Sequence, residues 1–319
     1  VGPRVTMAMD ALKFRDESHK STHAIAGVFG AAAAAGCAAS LTAQQMRWML
    51  DYTAQQSSGI AAWQRDTDHI EKAFVFGGMP ARSGVTSALL VQSGFNGIED
   101  VFSGADNFFL AYAPQARPEG LVEALGERYE VMRTSIKKWT AGSPIQAALD
   151  ALEILQKRRP FEADEVRQMI VRLPTTGAAT VNNREMPDIS LQHMMAVMLL
   201  DKTASFDAAH DKPRMQDPAV LRERAKVQLI PDEELQRRMP QREAIVEVTL
   251  ADGTRLREHV QAVRGAAENP MTRDEVVAKS RDLIAPVLGE ATCDRLIERV
   301  LRIEDAKDIR ELRPLLQRG

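Results

Sequence analysis

The hydrophobic and polar positions divide the chain into a helical first part, a mixed middle part and a helical end. In the first part, a run of very small residues at 24–39 follows a polar lead-in. Alanine is the best helix former, and Ser21 or Thr22 can cap the run by accepting a hydrogen bond from an unpaired backbone N–H. Side chains this small let neighbouring helices approach closely. The pattern therefore predicts the central helix of a bundle, starting at about His23.

Further helices are predicted in the first part from apolar residues at helical spacing. Thr42 can cap a helix whose apolar positions include Met46 and Met49. A second small-residue helix is predicted at 81–92. The segment 77–80, with the sequence GGMP, is a turn signal immediately before it.

The middle of the chain combines strand and helix patterns. An amphipathic helix is predicted at 147–156 and a very apolar helix at 191–200. Strands are predicted at 166–173, 226–230, 244–250 and 255–260. The last two strands are joined by Asp252-Gly253, which is a typical hairpin turn. Helical patterns return after about residue 272.

This order of elements predicts a mainly α protein with a smaller α+β domain. We predict a first helical domain over 1–137 and an α+β domain over 138–265. The helical segment 266–319 is predicted to return to the first domain.

Composition excludes several classes of function. The chain has 319 residues, of which 45% are hydrophobic, so it can form a substantial core. Its net charge of −3 argues against a nucleic-acid partner, which would require a basic face. The stretch 24–39 is shorter than a membrane span and consists mainly of Ala and Gly, so we interpret it as a core helix and expect no membrane association.

The two cysteines, Cys37 and Cys293, lie far apart in sequence and indicate no disulfide framework. We expect Cys37 to be a small buried thiol within the Ala-rich helix. No secretory signal is visible at the N-terminus, and we expect a cytoplasmic protein. Because the chain starts with Val1 and its apolar pattern begins at once, we interpret it as a fragment.

Two histidines, His19 and His23, precede the Ala-rich run. His23 would lie in the first helical turn, where the positive end of the helix dipole favours a bound carboxylate. The alternative for a histidine at a helix start is a cap or a surface residue. His210 and Asp211 form no metal-ligand pattern with other residues and are interpreted as a surface loop.

Several segments, in this order along the chain, resemble the MmgE/PrpD family, which includes 2-methylcitrate dehydratase, cis-aconitate decarboxylase and iminodisuccinate epimerase. The matching segments cover nearly the whole chain. They are AGVFGAAAAAG at 26–36, HIEKAFVFGGMPARSGV at 69–85, the 94–102 segment, LGERYEV and TSIKKW within 125–139, MPDISLQHMMAVMLLD at 186–201 and IVEVTLADGT at 245–254.

The resemblance implies a helical bundle domain built from both chain ends, an α+β lid domain, and an active site in the cleft between them. It also implies a homodimer that needs no cofactor or metal. Members of the family are longer at the N-terminus, where they carry an active-site aspartate and histidine. The resemblance therefore implies that this chain lacks the N-terminal part of the family.

The resemblance also implies catalytic residues. Either His19 or His23 corresponds to the histidine that precedes the Ala-rich helix in the family. Lys72 stands where the family has an active-site lysine, and His69, one turn earlier, could share its helix face. His193 stands where other members place a tyrosine near the active site; the alternative is a core histidine.

Lys137, Gln146 and Arg184 are the candidate substrate-binding residues. Gln146 aligns with a histidine of many family members, and glutamine performs no acid–base chemistry at neutral pH. It could hydrogen-bond a substrate or have a structural role. Arg184 is a candidate for binding a carboxylate, and Asp188 is a candidate helix start; the alternatives are an ordinary surface arginine and an N-cap.

The leading hypothesis is a hydro-lyase resembling 2-methylcitrate dehydratase. It would act on a small di- or tricarboxylate by removing a proton next to a carboxylate, with histidines moving protons and cations holding carboxylates. Because Gln146 replaces a histidine, epimerisation or decarboxylation at the same site is an alternative. A third hypothesis is a catalytically silent family member that serves as a dimerising scaffold.

Overall fold

The computed structural model describes residues 1–10, 14, 17–66, 70–113 and 115–317. The chain forms two compact units, Val1–Met132 and Arg133–Gly319. It is 59% helical and contains one mixed sheet of four strands among the described residues. This confirms the predicted fold class, mainly α with a smaller α+β part. The domain limits 1–137, 138–265 and 266–319 stay predictions.

The first unit is built from helices. They are α1 (Gly2–Ala8), α2 (Thr22–Ala38), α3 (Ala43–Gln55), α4 (Ile70–Ala73), α5 (Met79–Gln92) and α6 (Phe108–Tyr112), with a 3-10 turn at Ala61–Arg65 and a π-helical turn at Phe74–Gly78.

Helix α2 is the central element of the first unit, as its small residues predicted. The Ser21 hydroxyl caps the helix by accepting a hydrogen bond from the Ala24 N–H at 3.4 Å. Helices α1, α3 and α5 all pack on α2. Ile25 and Phe29 are completely buried on it and belong to one apolar core.

Helices α2 and α5 approach most closely at Gly84. A Cβ atom at this position would lie 2.6 Å from the Ala32 nitrogen, 2.7 Å from the Ala31 Cβ and 2.8 Å from the Val28 oxygen. Two of these three atoms belong to the backbone, so a side chain at residue 84 requires the helices to separate. Glycine is therefore needed here for packing rather than for backbone conformation.

Gly84→Ala is expected to lower the free energy of unfolding by about 1–3 kcal/mol because it overpacks the α2–α5 contact. Gly30→Ala is the matched control, since a Cβ at Gly30 would meet no atom within 4 Å. That control is expected to stabilise α2 by about 0.5–1 kcal/mol, the usual gain over glycine inside a helix. Urea unfolding followed by circular dichroism measures both, and equal midpoints for the two variants would contradict the packing account.

The predicted turn at 77–80 is wrong, because the chain remains helical from Ile70 to Gln92. Pro80 has no N–H to donate to the carbonyl of Phe76, four residues earlier, which would normally break the helix. The helix instead widens into the π-helical turn Phe74–Gly78 and continues. Single π-turns of this kind occur frequently at functional sites.

The expectation that Cys37 is buried is also wrong, because its side chain is exposed. The neighbouring Gly36 faces the α3 methionines: a Cβ there would lie 2.6 Å from the Met46 sulfur and 2.8 Å from the Met49 sulfur. One residue further along a helix turns the side chain away by about 100°. Cys37 therefore lies on the outward side of α2.

The helical run from Ile70 to Gln92 is long and apolar enough to cross a membrane by length and composition alone. Its most apolar window is 39% buried within the structure. The core helix of a soluble protein can have the same length and composition, so these properties do not distinguish a membrane-spanning helix from a core helix. The expectation of no membrane association stays a prediction.

The second unit is an α+β arrangement followed by helices. Its helices are α7 (Gln146–Arg158), α8 (Thr175–Val181), α9 (Leu191–Asp201), α10 (Phe206–His210), α11 (Pro218–Arg224), α12 (Glu233–Arg237), α13 (Arg273–Leu288) and α14 (Glu290–Leu301). Its strands are β1 (Val166–Pro174), β2 (Val227–Asp232), β3 (Ala244–Leu250) and β4 (Arg255–Val260).

The four strands lie in the order β2-β1-β3-β4. Strand β1 pairs in parallel with β2 and antiparallel with β3, so Val171 lies opposite both Leu229 and Val246. Strands β3 and β4 form the predicted hairpin, with Gly253 at φ +87° in its turn. Strand β3 alternates buried and half-buried residues, so one face of the sheet covers a core against α7.

The helical end of the chain begins as predicted. Thr272 caps α13 in a reciprocal capping box with Glu275. Helix α13 packs on α14 but contains no buried residue, and α14 buries only Cys293 and Leu296. The return of this segment to the first helical domain stays a prediction.

Candidate functional site

A short backbone ladder fixes His19 and the start of α2, whose first turn contains His23. The Ala61 N–H donates to the His19 carbonyl at 2.8 Å, and the Ser21 N–H donates to the Gly59 carbonyl at 2.9 Å. His19 itself adopts a left-handed conformation at φ +58°. The start of α2 is therefore held against the chain that follows α3.

Gly59 permits this ladder. Its φ of +107° is a conformation that side chains with a Cβ rarely adopt, and an added Cβ would lie 2.8 Å from that of Ala24. The ladder carries the chain directly into the 3-10 turn that contains Trp63. Trp63 is thus fixed close to the first turn of α2.

His23 lies in that first turn and stacks on an aromatic ring. Its imidazole is parallel to the Phe76 ring, with ring centres 4.3 Å apart and an angle of 7° between the planes. Phe76 belongs to the π-helical turn, and Trp63 packs edge-on against it with ring centres 4.7 Å apart. Phe76 therefore contacts both His23 and Trp63.

Lys72 completes this group of side chains. Its ammonium nitrogen lies 5.7 Å from the centre of the Trp63 ring and 5.8 Å from that of Phe76. Cations at this distance are attracted to aromatic rings. The Lys72 backbone N–H donates to the Asp66 carboxylate at 3.2 Å, which anchors the start of the helical run. We call His23, Trp63, Lys72 and Phe76 the aromatic–cation cluster.

The cluster combines two functional groups that carboxylate chemistry requires. An ammonium group can hold a carboxylate through charge-assisted hydrogen bonds. The ordinary pKa of an imidazole, about 6.5, lets it take or release a proton near neutral pH. His23 is exposed, whereas Lys72 is half-buried. The packing on Phe76 restricts the orientation of the imidazole.

His19 lies in a different environment from His23. Its exposed side chain lines a surface groove of about 650 Å³ together with Ser18, Ile60, Gln64 and Arg65. This groove also contains a cation and hydrogen-bonding groups. The structure thus places His23, and not His19, beside the rings that Lys72 contacts.

His193 lies in α9 of the second unit and is completely buried. Neither ring nitrogen has a hydrogen-bond partner among the described residues. Burial, as the largest cause, and the guanidinium groups of Arg224 and Arg214 together lower the pKa of His193 to about 4, while Asp211 opposes them. The imidazole is therefore neutral at physiological pH. Its role in proton transfer stays a prediction.

Gln146 is fully occupied by the backbone of the second unit. Its amide oxygen accepts from the Trp139 N–H at 3.0 Å. Its amide nitrogen donates to the carbonyls of Trp139 and Ala141, both at 2.9 Å. These contacts correspond to the structural alternative that the sequence left open, and they leave no amide proton for a substrate.

Lys137 and Arg184 also lie in the second unit, whereas the aromatic–cation cluster belongs to the first unit. Lys137 has an exposed side chain, and its carbonyl accepts a hydrogen bond from Lys279. Arg184 is half-buried. Asp188 lies in a 3-10 turn just before α9, and its carbonyl accepts from the Gly142 N–H at 2.7 Å. His69 lies outside the described residues.

Two members of the cluster were not predicted from the sequence. Phe76 follows Lys72 by four residues, so helical spacing alone could have placed both on one face. Trp63 carries no comparable signal, because only the backbone ladder brings the 3-10 turn next to α2. In the described part of the chain, no three His, Cys, Asp or Glu side chains gather as a metal site requires.

Comparisons with known proteins extend over both units. The model of the MmgE/PrpD N-terminal domain matches residues 1–120, and that of the MmgE/PrpD C-terminal domain matches residues 139–304. The cluster lies in the first of these ranges, and His193 lies in the second.

Two fungal relatives are similar to this chain over most of its length. The cis-aconitate decarboxylase-like protein oryM of Aspergillus oryzae is 25% identical over an alignment of 343 positions including gaps, which covers 99% of this chain and 68% of the relative. The cis-aconitate decarboxylase of Aspergillus terreus is 24% identical over an alignment of 322 positions including gaps, which covers 92% of this chain and 64% of the relative. The chain thus spans about two thirds of the length of these relatives.

Proposed function

This chain belongs to the MmgE/PrpD family, and from that premise we propose that it is a lyase acting on a small di- or tricarboxylate. The family and the relatives are enzymes of the decarboxylase and dehydratase type. The proposed reaction releases either CO₂ or water from a carbon next to a carboxylate. The observation that carries the proposal is the packing of His23 and Lys72 around Phe76.

Lys72 is proposed to hold a substrate carboxylate. Charge development next to a carboxylate is costly, and a fixed cation stabilises the enolate-like state that forms there. The apolar rings of Trp63 and Phe76 beside the ammonium reduce the competing hydration, which strengthens the attraction. Lys72 would therefore contribute to both substrate binding and catalysis.

His23 is proposed to transfer the proton. In a decarboxylation, the electron pair of the broken C–C bond passes into the substrate, and His23 would supply the proton that the resulting carbanion needs. In a dehydration, a base removes the proton next to a carboxylate, and an acid protonates the departing hydroxyl. Both reactions require an imidazole close to a bound carboxylate.

Decarboxylation of cis-aconitate is the first candidate reaction, because both relatives are named for it. Dehydration of a 2-hydroxy tricarboxylate is the second, and the resemblance to 2-methylcitrate dehydratase supports it. Epimerisation stays an alternative because Gln146 stands where many family members have a histidine.

We also propose roles for three residues of the second unit. His193 is proposed to transfer protons, and Lys137 and Arg184 are proposed to bind substrate carboxylates. We also propose the family organisation of a helical bundle domain with an α+β lid. A homodimer is part of the same proposal, and light scattering after gel filtration measures it directly. The cytoplasm is the proposed location.

The proposed function is tested by incubating the protein with cis-aconitate, 2-methylcitrate, citrate and iminodisuccinate in deuterated water, followed by proton NMR. We expect a product lacking one carboxyl group from cis-aconitate, or an unsaturated product from a hydroxy acid, with deuterium next to a carboxylate. No turnover and no deuterium exchange with any of the four compounds would contradict the enzyme proposal and favour a silent scaffold.

A further inference from the structure

The indole groups of this chain's three tryptophans differ in their hydrogen bonding. The Trp48 Nε1–H donates to the Glu99 carboxylate at 3.2 Å, and the Trp139 Nε1–H donates to the Asp150 carboxylate at 2.8 Å. The Trp63 Nε1 is buried, and no described residue accepts its proton. Two of the indole donors are therefore paired with carboxylates within the protein, and Trp63 is the exception.

An unpaired buried donor is costly, since it has lost its hydrogen bond to water without a replacement. The surroundings of Trp63 favour an anionic acceptor over a neutral one. The ammonium of Lys72 lies 5.7 Å from the ring centre, and the packing against Phe76 fixes the ring. A donor next to a cation in an apolar environment is suited to a carboxylate oxygen.

We propose that the Trp63 Nε1–H donates a hydrogen bond to a carboxylate of the substrate, whose charge is balanced by Lys72. This inference rests on the proposed function and assigns a substrate-binding residue to the same site. It also sets a specificity: the group bound between Trp63 and Lys72 is ionised and accepts a directed hydrogen bond. A methyl ester at that position lacks the charge and binds less tightly.

Trp63 is half-buried as a residue, but its Nε1 atom is buried, so a carboxylate can accept this proton only after the side chains that cover the atom move aside. The contact between Trp63 and Phe76 couples the indole to His23, which stacks on the same phenyl ring. A carboxylate held by Trp63 and Lys72 would consequently bind beside the imidazole proposed to transfer the proton.

Indole NMR tests this inference without requiring turnover. The protein labelled with ¹⁵N-tryptophan gives three indole N–H signals, and the Trp63→Phe variant identifies the one from Trp63. During titration with propane-1,2,3-tricarboxylate, which has neither a hydroxyl group nor a double bond to react, we expect the Trp63 signal to move downfield. The Trp48 and Trp139 signals, whose protons are already donated to carboxylates, are expected to stay in place.

Calorimetry of the same ligand provides the second readout. Trp63→Phe keeps an aromatic ring but removes the donor, and is expected to weaken binding about tenfold or more, the usual effect of losing a hydrogen bond to a charged group. Trp48→Phe is the matched control and is expected to bind like the wild type.

The outcomes separate this inference from the proposed function. If the wild type binds the tricarboxylate but the Trp63 signal stays fixed and Trp63→Phe binds equally well, Trp63 is no ligand donor and the proposed function is untouched. If the wild type neither binds the tricarboxylate nor turns over any compound of the NMR panel, both proposals are overturned.

Discussion

Lys72→Met is expected to lower kcat/KM for a tricarboxylate substrate about a hundredfold. Methionine keeps the apolar stem beside Trp63 and Phe76 but removes the ammonium. Loss of a charge-assisted hydrogen bond costs about 1.5–3 kcal/mol, which corresponds to a factor of about ten to a hundred or more. We expect an increase in KM from lost carboxylate binding and a decrease in kcat from lost stabilisation of developing charge.

The measurement is initial-rate kinetics on the best substrate of the NMR panel, with Arg82→Ala as the control. Arg82 is exposed on the same helical run and lies 6.0 Å from the Phe74 ring, so its removal deletes a neighbouring cation without touching the cluster. Circular dichroism verifies that both variants fold. A Lys72→Met enzyme with kcat/KM within twofold of the wild type would exclude Lys72 from the site.

The second unit is expected to lose about 3 kcal/mol of stability as the pH falls from about 7 to about 4. His193 has a pKa of about 4 in the folded protein against an ordinary value of 6.5, chiefly because burial disfavours the charged ring. The unfolded chain therefore binds a proton at a pH where the folded chain does not, so acid favours unfolding. This stability is fully present above pH 6.5 and is lost as the pH falls to about 4, at about 1.36 kcal/mol per pKa unit.

Urea unfolding of the protein at several pH values between 7.5 and 4 measures this loss, with His193→Met and His210→Gln as comparison variants. His193→Met removes the buried imidazole and is expected to flatten the pH dependence in this range. His210 is an exposed histidine whose ring stacks on Phe206, and its replacement should leave the dependence intact. An unchanged slope in His193→Met would show that another group causes the acid sensitivity.

Local signals account for the features of the fold that the sequence predicted correctly. The Ser21 cap of α2, the Asp252-Gly253 turn and the start of a helix near residue 272 all depend on residues a few positions apart. The alternation of apolar residues in β3 likewise identifies its buried face.

Two predictions about the fold are wrong, the turn at 77–80 and the burial of Cys37. Both depend on features of the folded chain that local sequence patterns do not show. The segment 77–80 has the composition of a turn. The chain instead forms a π-helical turn before Pro80, and the helix continues although Pro80 has no N–H to donate. Cys37 lies in a run of uniformly small residues, which gives no periodic contrast between the inner and outer faces of α2. Its exposure follows from the position of α3, which contacts the other side of the helix.

The candidate site could be predicted only in part. His23 and Lys72 were identified from the family resemblance, but their common neighbour Phe76 depends on how α2 and the π-helical turn pack. Trp63 reaches the cluster through the backbone ladder at Gly59, a long-range contact that no short sequence pattern encodes. Gln146 shows the reverse case, because its sequence position indicates a site residue whereas its amide is bound to the backbone.

The central claim is that the aromatic–cation cluster binds carboxylates, and calorimetric titration with propane-1,2,3-tricarboxylate tests it most directly. This compound carries the charges of the proposed substrates but cannot undergo the reaction, so binding is measured apart from turnover. We predict saturable binding to the wild type and to Arg82→Ala, and binding at least tenfold weaker to Lys72→Met. Equal affinity of all three proteins, or no binding to the folded wild type, would contradict the claim.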